Sequence, residues 1–257
     1  VDKTLTASLR KAVASLATAK GRKSLGLFTA QGTRCVADTM PHLPCRYLFA
    51  TAAWLDEHPA VRPAGGGEVI QVSQADIQRM SDQRSPQPVM AVYEIPRPEP
   101  WSYDGRLTLA LDCVQDPGNL GTIVRLADWF GVEHILAAPG TADLYNPKVV
   151  QATMGALCRV KVHYVDSLAD ALQRSGAPVV GTFLDGRNLY GSELPLEHGP
   201  IVVMGNEGNG ISEEVAAVVT HRVLIPSFPP GRQGVESLNV ATATAIVISE
   251  ISRRIYG

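Results

Sequence analysis

Three short stretches of the 257-residue chain combine residue types that can bind and react. The first, Asp116-Pro-Gly-Asn-Leu-Gly-Thr-Ile-Val-Arg125, follows the apolar run LTLAL and opens a helix. Asn119 is placed to cap that helix, and Arg125 stands six residues further on. A guanidinium there serves either a structural salt bridge or a phosphate near the helix start, and spacing leaves both open. The second stretch, Met204-Gly-Asn-Glu-Gly-Asn-Gly210, places three glycines in six residues, which lets backbone approach a ligand. Neither Gly-Lys-Ser/Thr nor G-x-G-x-x-G is present, so triphosphate and dinucleotide readings weaken. Glu207 would repel a phosphate and suits a ligand with donors, such as a ribose, an amine or a sulfonium. The third stretch runs from Ile225-Pro226 through the loop Ser227–Gly234 to Ser237-Leu238-Asn239-Val240. Ser237 and Asn239 read as caps, and the small residues Ala241–Ala245 behind them admit another backbone or a flat ligand.

Each stretch follows a short apolar run, and those runs alternate with helical patterns from Arg106 onward. Strands are expected at Leu107–Leu111, Ile135–Ala138, Val160–His163, Val179–Thr182, Ile201–Met204 and Val223–Ile225. Helices are expected at Asn119–Phe130, Asn146–Thr153 and Ser167–Gln173. The last helix keeps Val240, Val247 and Ile251 on one face, with Ile255 near its edge. This alternation predicts an α/β fold with a mostly parallel sheet, whose ligands bind at the carboxyl ends of strands. Before it, Pro96, Pro98 and Pro100 put three prolines in five residues, a linker signal. The N-terminal part predicts a helix over Leu5–Ala19, strands at Leu25–Thr29, Arg46–Ala50 and Val89–Tyr93, helices at Val36–Met40 and Gln74–Met80, and a loop at Pro63–Gly67.

Composition is that of a globular protein, with 45% hydrophobic and 19% charged residues. No apolar run approaches the ~20 residues that span a bilayer, and the first residues lack a signal core, so a cytoplasmic protein is expected. The four cysteines, Cys35, Cys45, Cys113 and Cys158, are widely spaced and form no metal pattern, so reduced thiols are expected. Residues 1–46 carry eight Lys or Arg against Asp2 and Asp38, a local charge of +6 that suits a polyanion or simply a solvated face.

Taken together and in order, these stretches resemble the SpoU/TrmH family of RNA ribose 2′-O-methyltransferases. The family's Asn-x-Gly-x-x-x-Arg is matched by Asn119, Gly121 and Arg125, and its Gly-x-Glu-Gly-x-Gly by Gly205, Glu207, Gly208 and Gly210. Its Ile-Pro followed by Ser-Leu-Asn-Val is matched by Ile225, Pro226, Ser237, Leu238, Asn239 and Val240. Tyr145–Val150 and Met154–Leu157 resemble its middle segment. Arg22-Lys23 with Gly26–Gly32, and Met80-Ser81 with Pro86–Val92, resemble an accessory RNA-binding domain of the L30e/L7Ae type. There are departures: Gln31 stands where the family has Glu, Gln151 where it often has Arg, and Ala241 where it has Ser.

The resemblance implies three regions: an L30e-like RNA-binding domain over 1–95, a proline-rich linker over 96–105, and a methyltransferase domain over 106–257 with a C-terminal trefoil knot. The implied cofactor is S-adenosylmethionine, held by Met204, Gly205, Asn206, Gly210, Ile225, Pro226, Leu238 and Asn239. Arg125, Asn119, Glu207, Ser237 and Asn239 are implied at the reacting centre. A homodimer acting on RNA is implied, and the added basic domain favours ribosomal (23S) RNA over transfer RNA. The alternatives are a tRNA 2′-O-methyltransferase, a non-catalytic RNA-binding protein on the same scaffold, and a generic nucleotide-binding α/β enzyme. The last is disfavoured because the chain shows neither a Walker lysine nor a magnesium-binding carboxylate cluster.

Overall fold

Side-chain oxygens open most helices of the N-terminal unit, because a short polar residue can take the amide proton that a helix start leaves without a partner. Thr6 caps α1 (Ala7–Ser15) and Thr18 caps α2 (Ala19–Leu25). Gly32 precedes α3 (Thr33–Thr39), Thr51 caps α4 (Ala52–Glu57), and Ser73 caps α5 (Gln74–Met80). The strands between them are β1 (Leu27–Gln31), β2 (Cys45–Ala50), β3 (Glu68–Gln71) and β4 (Val89–Glu94). They form a sheet in the order β1-β4-β2-β3, with β4 antiparallel to both neighbours and β2 parallel to β3. The computed structural model describes residues 4–63, 66–229 and 237–257. The expected loops at 63–67 and 227–234 lie partly outside those residues, and Asp2, Lys3 and Glu236 wholly so.

The single expected helix over Leu5–Ala19 is in fact two. Thr18 starts a new helix, and Gly26, in the left-handed region at φ 64°, ends it and turns the chain into β1. The expected strand at Leu25 therefore begins at Leu27. Val13, Leu16, Phe49, Ile70, Ile77 and Met90 form the core of this unit beneath α1 and α5. On β4, the Tyr93 hydroxyl is buried 2.8 Å from Thr39 Oγ1, and burial raises its pKa.

The basic excess of this unit is partly neutralised. Arg22 is 3% exposed, and Arg10, Arg34 and Arg46 pair with Asp76, Asp38 and Glu94. Lys11, Lys20 and Lys23 remain exposed. Cys35 and Cys45 are buried free thiols, and loss of solvent pushes both up to about 12.

Later elements are β5 (Thr108–Leu111), α6 (Pro117–Trp129), β6 (His134–Ala137), α7 (Pro147–Thr153), β7 (Lys161–Tyr164) and α8 (Leu168–Ser175). They continue with β8 (Val179–Asn188), β9 (Ile201–Met204), α9 (Glu213–Ala216), β10 (His221–Leu224) and α10 (Val240–Tyr256). The sheet order is β10-β8-β9-β5-β6-β7, and every pairing is parallel. Strands β5 and β9 are buried at every position, as the apolar runs TLAL and IVVM require. One face carries Ala110, Leu136, Ile201 and Val203 against Leu168, Leu172 and Val215 of α8 and α9. Helix α10 lies against α6 and β9. Strand β8 runs well past the expected Thr182, because β10 skips from pairing at Gly181 to pairing at Arg187. A knot would involve the chain between β10 and α10, and residues 230–236 of that path lie outside the described residues.

Contacts group residues 1–97 with 143–158 as one unit, and residues 98–142 with 159–257 as the other. Segment 143–158, with α7, is therefore packed in the N-terminal unit. From Pro98 the proline-rich stretch is packed in the second unit. Glu99 pairs with Lys161 at 2.7 Å, Trp101 and Tyr103 lie against the core, and Tyr103 donates to Gly199 O at 2.6 Å.

Helix α6 depends on its buried stripe of Leu120, Ile123, Val124 and Ala127. Ile123→Ala is expected to cost about 2–5 kcal/mol. The check is the denaturant midpoint with far-UV dichroism retained, and an unchanged midpoint would contradict this packing.

Candidate active site

The turn after β5 sets the geometry. Asp112, 7% exposed, accepts from Ser212 N at 2.6 Å, and Cys113 takes a left-handed conformation at φ 61°, rare for a side-chain-bearing residue. The helix cap is Asp116, and not Asn119 as the sequence suggested. Asp116 Oδ1 accepts from Asn119 N at 2.8 Å, with Pro117 in the first turn, where a missing amide proton costs nothing. That leaves the Asn119 side chain free to bond elsewhere.

Asn119 Nδ2 donates to Glu207 Oε1 at 3.0 Å, and Asn119 Oδ1 accepts from Asn239 Nδ2 at 2.9 Å. Asn239 Oδ1 in turn accepts from Ala241 N and Thr242 N and caps α10. A carboxylate can only accept and a helix amide can only donate, so the orientation of both carboxamides follows. This relay joins residues 88 and 120 positions apart in the chain. Glu207 also accepts from the amides of Gln115 and Asp116. The donors that its sequence context called for are thus supplied by the protein itself. Partial burial raises the Glu207 carboxyl, but the bonds from Asn119, its own loop amide, Asp116 and Gln115 together hold it below the usual range.

The glycines of the 205–210 loop close the loop upon itself. Asn206 and Gly210 exchange backbone bonds, and Gly210 sits at φ 70°. A Cβ on Gly205 would lie 2.4 Å from the Gly210 carbonyl carbon, so only glycine fits there. Asn206 Oδ1 accepts from the amides of Gly208 and Asn209, and its Nδ2 donates to Cys113 O at 2.8 Å. The β5–α6 turn therefore grips this loop at Asn206, Glu207 and Ser212.

Arg125 is exposed two turns beyond Asn119. It faces a groove between α6 and α10 of about 560 Å³, lined also by Thr122, Leu126, Trp129, Phe130, Ala245, Ile246 and Ser249. Among the described residues no acid pairs with it, so the salt-bridge reading loses its partner. Ile225 and Pro226 follow β10 half-buried, at the same sheet end as Met204 and Gly205. Ser237 and Leu238 are exposed just before α10, and among the described residues no hydrogen bond joins Ser237 to the relay. Ala241 is buried, and the following Thr242 carries an exposed side chain. Sequence reasoning missed Asp112, Cys113 and Asp116. Asp116 was recoverable from the Asp-Pro pair at a helix start, whereas Asp112 and Cys113 carry no local signal.

The donor set fits an adenosine-bearing cofactor. It offers the side-chain-free backbone of Gly205, apolar surface on half-buried Ile225 and on Leu238, 46% exposed, and no cation within the 204–210 loop to attract phosphates. Among the described residues, no helix is long and apolar enough to cross a membrane and no His, Cys, Asp or Glu cluster could hold a metal ion.

A fold and site of this kind define a class, and comparison with known proteins agrees. The SpoU rRNA Methylase family profile matches residues 106–249, and an MRM3-like substrate binding domain profile matches residues 10–91. The chain is 31% identical over 185 residues to the 23S rRNA (guanosine(2553)-2'-O)-methyltransferase RlmP of Bacillus subtilis, covering 71% of this chain and 72% of that protein. A structure assigned to the TrmH RNA methyltransferase family, from Porphyromonas gingivalis, superposes with TM-score 0.87 at 46% identity, covering 97% and 99% of the two chains. The AdoMet-bound rRNA methyltransferase of Sinorhizobium meliloti superposes with TM-score 0.86 at 28% identity, covering 99% of each. The chain belongs to the SpoU rRNA methylase family, whose cofactor is S-adenosylmethionine.

Two outcomes are expected of this site. Gly205→Ala should abolish S-adenosylmethionine binding in calorimetry while the chain stays folded; retained affinity would contradict the loop closure. Glu207 is depressed, so its contribution to stability is fully present above the unfolded value of ~4.3 and is lost as pH falls through the lower folded value. The melting-temperature gap between wild type and Glu207→Gln should therefore shrink below about pH 4. A gap constant down to pH 2 would contradict the assignment.

Proposed function

We propose that the chain transfers the methyl group of S-adenosylmethionine to a ribose 2′-hydroxyl of ribosomal RNA, 23S RNA in particular. The observation that carries this reading is the relay from Glu207 through Asn119 to Asn239, which links three separate sequence motifs. On the same helix as Asn119, six residues further along, stands Arg125, which pairs with no acid among the described residues. Relatives named as 23S rRNA 2′-O-methyltransferases, and the match to a substrate-binding domain, support ribosomal over transfer RNA. A cytoplasmic location fits the bacterial relatives.

Met204, Gly205, Asn206, Gly210, Ile225, Pro226, Leu238 and Asn239 would hold the cofactor, which when bound supplies an electrophilic methyl on a sulfonium. Asn119, Glu207 and Asn239 order the wall against which the ribose must lie, so that alignment is set before substrate arrives. Ser237, exposed at the same helix start, would contact the nucleotide. Arg125 carries hydrogen-bond donors and no acceptor, so it is not the base. Its guanidinium binds the RNA phosphate and stabilises negative charge developing on the attacking oxygen. The apolar groove beside it, with Trp129 84% exposed, suits a second copy of the chain, giving a homodimer.

Arg125→Ala is expected to keep cofactor affinity and lose at least about 100-fold in methyl transfer. The assay is transfer of labelled methyl to unmodified 23S RNA, with alkali-resistant linkage at one site. Unchanged turnover would overturn the role of Arg125, and label appearing only in transfer RNA would overturn the choice of substrate.

A further inference from the structure

The segment Asp143–Cys158 belongs in sequence to the SpoU match, yet it packs in the unit that carries the substrate-binding match. Its attachment is specific. Arg22, with a side chain only 4% exposed, donates through Nε and Nη2 to Asp143 Oδ2 at 2.9 and 2.7 Å. Its Nη1 donates to the carbonyls of Leu16 and Ala17. Tyr145 lies 4.7 Å from Phe28, ring centre to ring centre. Cys35 Sγ is 4.0 Å from Val150 O. Gly155, at φ 83°, leaves room for Asp38, whose Cβ would be 2.8 Å from a Cβ built there.

Helix α7 packs on β1 and touches α3 at Cys35 and the 81–86 loop at Gln83. Gln151 accepts from Gln83 Nε2 at 2.7 Å, and the next residue in the chain, Arg84, is exposed. Lys148 is exposed one turn before Gln151 on the same helix face. Asp38, which meets the far end of this segment, pairs with Arg34, whose side chain is 77% exposed. Lys148, three residues before Gln151, and Arg84, the chain neighbour of Gln83, are the exposed cations nearest in sequence to this amide contact, a mixture that suits phosphates and base edges of an unpaired RNA segment.

We propose that α7 is part of the RNA-recognition surface of the N-terminal unit, latched there by the pairing of buried Arg22 with half-exposed Asp143, with Lys148 a phosphate contact. This rests on the proposed RNA substrate. Gln31 and Gln151, two departures from the family pattern, sit differently. Gln31 is 6% exposed and bonded to Ser81 and Asp82, so it supports the 81–86 loop from beneath. Gln151 is at the surface, joined to that same loop through Gln83.

The test measures full-chain binding to an in vitro transcript of 23S RNA across a salt series, for wild type, Lys148→Ala and Arg84→Ala. Each substitution is expected to weaken binding several-fold and to reduce the slope of log K against log salt by about 0.7–1. Cofactor affinity and melting temperature should stay unchanged. A wild type that binds while Lys148→Ala shows the same affinity and slope would overturn the surface and leave the substrate reading standing. A wild type that binds cofactor but no transcript at any salt would overturn both.

Discussion

A single neutral carboxamide, Asn119, is held between a carboxylate and a second carboxamide, and the site is built around satisfying all three. Glu207 needs donors, the start of α10 needs an acceptor, and carboxamides, which both donate and accept, connect them. The rest follows as a series of requirements. Asp116 must cap α6 so that the Asn119 side chain is released. Pro117 must occupy the first turn. The 205–210 loop must close tightly enough to bring Glu207 forward, which leaves no room for a Cβ on Gly205. Asp112 and the left-handed Cys113 then hold the two loops in register.

The parallel sheet is what makes such a relay possible between motifs far apart in the chain. All strands end on the same side, so the loops after β5, β9 and β10 emerge at one edge, with β8 between the last two. The relay engages both ends of the Asn119 carboxamide, and groups that could act on a substrate also lie outside it. Arg125 is such a group: it shares the rigid α6 but stays exposed, and no acid among the described residues neutralises it. The proposed roles of positioning and electrostatic stabilisation would thus fall to different residues on one helix.

Much of this was legible in the sequence because the signals were local. The strand Ile201–Met204 and the helix Gln74–Met80 lie where their apolar spacing put them, and the parallel sheet follows from buried apolar runs alternating with helices. Local signals failed where a distant partner decides. Arg22 read as part of a basic face, yet it is buried on Asp143, 121 residues away. The capping role expected of Asn119 belongs to Asp116, since an Asp-Pro start outcompetes a cap inside the helix. Strands β3 and helices α2, α4 and α9 are short and carry weak periodicity, so they went unread. Segment 143–158 has ordinary helical pattern, and nothing in it announces which unit its buried face will meet.

If the relay is one cooperative unit, its members cannot act independently on the cofactor wall. The most direct test is a double-mutant cycle on S-adenosylmethionine affinity, with Asn119→Ala, Asn239→Ser and the combination measured by calorimetry; serine keeps the α10 cap but is too short to reach Asn119. The double variant is predicted to lose about as much affinity as the worse single variant, a coupling of about 1 kcal/mol or more. Losses that simply add would contradict the relay as the element on which the site depends.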